Sequence, residues 1–149
     1  MPMAVVDQIR NAGSAAVLPV SLRMVLVASV LGAGLGVGLL GQTQERYLAD
    51  PELAQLLRAF AVLKLAFLVP IALLAWVRFS SSAPLPIPFA AGYIVSVTIA
   101  AGALALIAKL AAVGAGSLLF HASIAGFIFL AFRDQGFVNS LKLLAPPRK

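Results

Sequence analysis

Polar and apolar positions along this chain are sorted into long blocks. They do not alternate at the period of a strand. Four apolar blocks stand out, at about residues 18–41, 51–79, 87–113 and 116–132. A helix needs about 20 such residues to cross the roughly 30 Å hydrocarbon core of a bilayer. The first three blocks meet that length. The fourth is the shortest, so it spans only with little tilt or with local thinning. A re-entrant hairpin is the competing reading for it.

The breaks between blocks have chemical causes. The stretch 42–53 is polar and holds Glu45, Asp50 and Glu52, three of the five acids. Within it Asp50-Pro51-Glu52 reads as a helix start. Asp50 caps free N–H groups, Pro51 suits the first helical position, and Glu52 complements the dipole. The second break, 80–88, combines three serines with Pro84, Pro86 and Pro88, which no helix crosses. The third break is placed at Gly114-Ala115-Gly116, a turn so short that it forces the flanking spans into an antiparallel hairpin.

The pattern predicts an all-α integral membrane protein. It is one transmembrane domain over 1–149, a four-transmembrane-helix bundle running up-down-up-down with both termini on the same side. Short interfacial segments are expected at 1–14 and 135–145. In the latter, Phe137, Val138, Leu141 and Leu144 recur at helical spacing beside Lys142. No internal repeat is visible, so an inverted-repeat transporter gains no support.

Composition agrees and narrows the class. Of 149 residues, 62% are hydrophobic and 11% charged, and the mean hydropathy is +1.04. A soluble domain is roughly 45–50% apolar and about 25% charged. Too little polar surface is available to cover a soluble fold of this size, and disordered chains are polar and charge-rich. The opening residues lack an n-region charge and carry Asp7, and the block at 18–41 outlasts a signal-peptide h-region, so it reads as a retained span.

The net charge is +6. In a membrane protein it points to anionic lipid headgroups, not to nucleic acid. One side of the predicted topology carries Arg10, Arg23, Arg78, Arg133, Lys142, Arg148 and Lys149. The other carries Arg46, Arg58 and Lys109. Seven against three predicts cytoplasmic termini in the cell membrane. Trp76, Phe79, Phe89, Tyr93 and Phe132 are expected to form an aromatic belt at that interface.

Small residues mark packing faces. Gly32, Gly34, Gly36 and Gly38 lie in the first span, and Gly102 lies in line with Thr98 and Lys109 in the third. Lipid gives helices no hydrophobic reason to associate, so close contact through small residues matters more. The stripe packs either inside the bundle or against another copy.

Three basic groups fall in the outer half of the spans: Lys64, His121 and Lys109. Lys64 is the deepest. An ionisable group at that depth costs about 2.5–3.5 kcal/mol on insertion scales and needs a partner. All five acids lie at ends or in loops. The three groups are therefore candidates to bind an anionic ligand or lipid. Snorkelling is the plain alternative for the lysines, and an interhelical hydrogen bond for the histidine. Pro70 removes a backbone bond near Ala66 and predicts a kink just below Lys64.

Other chemistry lacks its residues. Cysteine is absent and His121 is the one histidine, so no metal, haem or other cofactor is expected. No catalytic residue is assigned. Ser117 and His121 share a helix face without a demonstrated catalytic geometry, and no nucleotide or hydrolase motif appears. The first expectation is a non-enzymatic membrane protein acting through helix packing, as a homo-oligomer or as a subunit of a larger membrane complex. The alternatives are a small transporter or channel for an anionic or amphipathic solute, and a lipid-acting enzyme.

Overall fold

The computed structural model describes residues 19–144, and the expected segment at 1–14 lies outside them. Six helices follow one another: α1 (Pro19–Leu40), α2 (Glu45–Leu48), α3 (Pro51–Ser80), α4 (Ile87–Ala108), α5 (Val113–Arg133) and α6 (Gln135–Leu144). Four of them, α1, α3, α4 and α5, are long and apolar enough to cross a membrane. They form a four-helix membrane bundle. The protein is a small multi-pass membrane protein.

The helix start expected at Asp50 forms. The Asp50 carboxylate accepts from the Leu53 N–H at 2.9 Å, with Pro51 in the first turn. The third turn corrects the sequence reading. Gly114, Ala115 and Gly116 lie inside α5, and the chain reverses at residues 109–112. Leu110 takes the left-handed conformation there, with φ of 56°. The Ala111 N–H reaches the Leu106 carbonyl at 3.0 Å, and the Leu110 N–H reaches Ile107 at 2.9 Å. This is the bonding of a Schellman helix end, normally built on glycine. Leucine stands here because its side chain is fully buried in a small cluster with Tyr47 and Ala54. Its carbonyl also accepts from the Gln44 N–H at 3.2 Å. Starting earlier lengthens the fourth span to 21 residues, enough to cross at the rise of 1.5 Å per residue.

The span α4 is the centre of the bundle and touches α1, α3 and α5. Of its apolar window 44% is buried, against 6% for α1, which sits at the edge. Gly116 sets the α4–α5 approach. A Cβ there would stand 2.9 Å from the Ala103 carbonyl oxygen and 3.0 Å from Ile107. Thr98 donates to Ser29 at 2.8 Å and ties α1 to α4. Arg23 of α1 lies over the Trp76 ring of α3 at 5.3 Å.

One end of the bundle is closed by an ion pair. Arg78 is 1% exposed, and all five of its N–H bonds find acceptors. Nε and one Nη2 bond donate to Asp134 at 2.6 and 3.1 Å. The others reach Ser81 Oγ at 2.8 Å, the Ala83 carbonyl at 3.1 Å and the Pro84 carbonyl at 3.0 Å. Tyr93 donates its hydroxyl to the same carboxylate at 3.1 Å, and the Gly136 N–H caps it at 3.0 Å. Gly136 is required by space, since a Cβ would meet the guanidinium at 2.5 Å. Phe79, Tyr93, Phe127 and Phe137 pack as rings over this cluster. Phe79 and Tyr93 are thus core residues, and the aromatic belt expected there loses them. The amphipathic helix expected near 135–145 forms as α6, and it inserts Phe137 into the core.

Burial alone would push the Asp134 carboxyl up. The hydrogen bonds and charge of Arg78 outweigh that, the Phe137 N–H and Tyr93 hydroxyl add to them, and the group is held below the usual carboxylate range. Its stabilising contribution is therefore complete above the unfolded value of about 3.9. It is lost as pH falls through the lowered folded value. Thermal melting in detergent checks this: wild type loses stability below about pH 4, while Asp134→Asn is already destabilised at neutral pH and flat across that window. Breaking a buried pair by removing one partner costs about 3–5 kcal/mol, which sets the expected size of the neutral-pH loss. The same assay separates the glycines. Gly116→Val lowers the melting temperature by several degrees, the response of a domain this size to a loss of about 1–2 kcal/mol, whereas Gly34→Val leaves it unchanged.

Candidate functional site

The bundle has an open seam. Spans α3 and α5 barely touch, and an apolar groove of about 390 Å³ lies between them. Ala66, Pro70 and Leu74 line one wall, Ile124, Ile128 and Ala131 the other, and Phe137 and Val138 of α6 close the end. Every side chain along it is apolar. Pro70 is part of the groove wall, and α3 runs unbroken as a helix through it.

At the head of this groove stand two of the three expected polar residues. Lys64 lies one turn before Phe67 on α3, and His121 one turn before Ile124 on α5. The Lys64 Nζ is 3.4 Å from His121 Nε2. His121 Nδ1 is 2.7 Å from the Ser117 carbonyl. A carbonyl only accepts, so Nδ1 carries the proton and Nε2 receives the ammonium. The Lys64 Nζ also sits 4.9 Å from the centre of the Phe120 ring, a cation–π contact. One side chain on α5 orients the ammonium, and the next solvates one of its faces.

The depth of this pair follows from helix lengths. Lys64 is within about 2 Å of the centre of α3, and His121 about 3 Å from the centre of α5, at 1.5 Å per residue. Glu45, Asp50 and Glu52 are exposed at the far end, and the Asp50 carboxylate is engaged by the Leu53 N–H. Among the described residues the one ion pair is Arg78–Asp134. Lys64 has no acidic partner there.

Lys109 is apart from this pair. It caps the end of α4 with its side chain exposed, and its backbone carbonyl accepts from the Thr43 hydroxyl at 2.9 Å. Ser117 meets His121 through its carbonyl. That carbonyl is no nucleophile, and the Nδ1 it holds is the proton-bearing nitrogen, not a base.

The glycines divide. Gly102 packs within the bundle, with a Cβ position 3.6 Å from the Ala33 methyl. Gly32, Gly34, Gly36 and Gly38 meet nothing within 4 Å. Of the stripe through Arg23, Val27, Val30, Gly34, Gly38 and Gly41, Val30 packs on the core and Gly41 lies beside Ala111, while Gly34 and Gly38 stay open; α1 contacts α4 through Ala33 and Ser29, beside the glycines. Sequence reasoning also missed Gly116 as a packing residue and Arg78–Asp134 as a buried pair. The signal for the pair was Asp134-Gln135-Gly136, an acid two residues before a glycine at the start of an amphipathic pattern, which is capping chemistry.

Comparisons of the chain with protein-family models, with curated proteins and with solved structures find no match.

The pair's energetics differ between its members. Lys64→Met removes an unneutralised charge from mid-depth and is expected to leave the melting temperature equal or higher. His121→Ala strips the ammonium of its acceptor and lowers stability by about 0.6–1.7 kcal/mol, the range of membrane interhelical hydrogen bonds. Denaturation of both variants in mixed micelles checks the opposite signs.

Proposed function

We propose that this protein is a non-enzymatic subunit of a membrane assembly, working by presenting helix faces to other helices. The observation that carries this is the free face of α1. Gly34 and Gly38 stand at helical spacing on one flank of α1 and leave open space where side chains would be, as Gly32 and Gly36 do on the other flank, on the span with the least burial. Such a face lets a second backbone approach closely, which is how helices associate when the hydrophobic drive is missing. The occupant of this face is a second copy of the chain or a partner subunit. Membrane lipids cover what remains.

The assembly resides in the cell membrane with both termini cytoplasmic. Arg78 is spent on Asp134, but the remaining Arg10, Arg23, Arg133, Lys142, Arg148 and Lys149 still outnumber Arg46, Arg58 and Lys109 by six to three.

The Lys64–His121 pair favours a second reading, a small transporter or channel for an anionic or amphipathic solute. The groove approaching the pair is apolar throughout, a lining that suits a hydrocarbon surface better than a hydrated ion. The subunit reading is therefore preferred.

Native mass spectrometry of the protein released from its own membranes tests it. Wild type is expected as a complex containing further chains. Gly34→Leu with Gly38→Leu is expected to lose at least one chain from that complex, with helicity and melting unchanged. A wild-type monomer carrying only lipid would overturn the reading.

A further inference from the structure

Resting on the subunit reading, we infer that the α3–α5 groove is a dock for a transmembrane helix of a partner chain, and that this helix carries an Asp or Glu at mid-membrane depth to bind the Lys64 ammonium. This surface is separate from the glycine face of α1.

Charge argues first. The ammonium has three N–H bonds. His121 accepts one, and the Phe120 ring covers another direction. The remaining donor has no acceptor among the described residues. An unneutralised charge at this depth marks a functional partner by default. The partner's charge must be negative, and it must be delivered close to the bilayer centre.

Depth selects the source. A lipid headgroup lies roughly 15 Å away, half the thickness of the hydrocarbon core. The Lys64 side chain does not rise to meet it, because its Nζ is engaged by His121 Nε2 at 3.4 Å. A second copy of this chain brings no suitable group either. Its acids are Asp7, Glu45, Asp50, Glu52 and Asp134, none in the middle of a span. A carboxylate on a foreign transmembrane helix arrives at the required depth.

Shape agrees. The groove walls repeat at helical spacing, Ala66, Pro70 and Leu74 against Ile124, Ile128 and Ala131, over about 12 Å. That is two turns, and side chains at i, i+4 and i+7 of a docked helix form the matching ridge. The polar contact sits at the head of the groove, so it fixes the register of the helix along it.

The test uses the full chain in neutral phosphatidylcholine vesicles with three synthetic single-span leucine–alanine helices. They are identical except for a central Asp, Asn or Leu. The chain has no cysteine, so Gln42→Cys gives one label site for energy transfer from the labelled helix. The Asp helix is expected to bind at least tenfold tighter than the Leu helix. That advantage is lost in Lys64→Met and in Ala66→Phe, which fills the groove, both checked for native melting. It persists in Gly34→Leu with Gly38→Leu. Equal binding of the three helices overturns the proposal, as does an advantage that survives Lys64→Met. Lys64-dependent binding of dodecanoate without any preference for the Asp helix assigns the groove to a lipid anion instead. If the glycine variants lose no chain from the native complex while the Asp preference holds, the α1 reading fails and this one stands.

Discussion

One guanidinium organises an entire end of this bundle. Arg78 sits in the last turn of α3, bonds the two loop carbonyls that lead into α4, and pairs with the carboxylate that joins α5 to α6. Desolvating an arginine is expensive, and attraction repays it only when every donor is satisfied. Here all five are. The loop at 81–86, with two serines and two prolines, cannot bond to itself as a helix or sheet would, so its carbonyls accept from Arg78. Gly136 leaves room for this, and Tyr93 closes the last approach to Asp134. The aromatic cluster and the docking of α6 follow from where that carboxylate sits.

The opposite end is held differently. Leu110 accepts a left-handed backbone, a cost of roughly 1–2 kcal/mol. The burial of its side chain against Tyr47 and Ala54 offsets this by a similar or larger amount. Local preference would have put the turn at Gly114 or Gly116. Tertiary contact overrode it, because Gly116 was needed where α5 crosses α4. The two uses of one glycine compete, and close backbone packing in lipid wins.

Polar economy gives the mid-depth lysine its meaning. In the rest of the bundle, charge is buried and matched, as in Arg78, or lies toward the helix ends, as in Arg23, whose buried Nε has the Trp76 ring beside it and no hydrogen bond. Lys64 follows neither pattern. An imidazole nitrogen and a ring face solvate it without neutralising it, and it borders the seam between α3 and α5. A chain selected for its own stability alone gains nothing from that placement. A chain that must hold a second helix in register does.

The sequence by itself determined the number of spans, the cap at Asp50, the amphipathic tail helix and the place of Lys64 near the middle of its helix. These depend on runs of composition and on spacing along one helix, which are local quantities. Tertiary structure alone decided that Lys64 meets His121 while Lys109 lies apart, that Arg78 and Asp134 pair across 56 positions, and that Gly116 packs while Gly32 to Gly38 stay open. Those depend on the rotation of each helix about its axis. In a uniformly apolar span nearly every face is equally oily, so the sequence carries little signal for rotation. Only the contact of one helix with another fixes it.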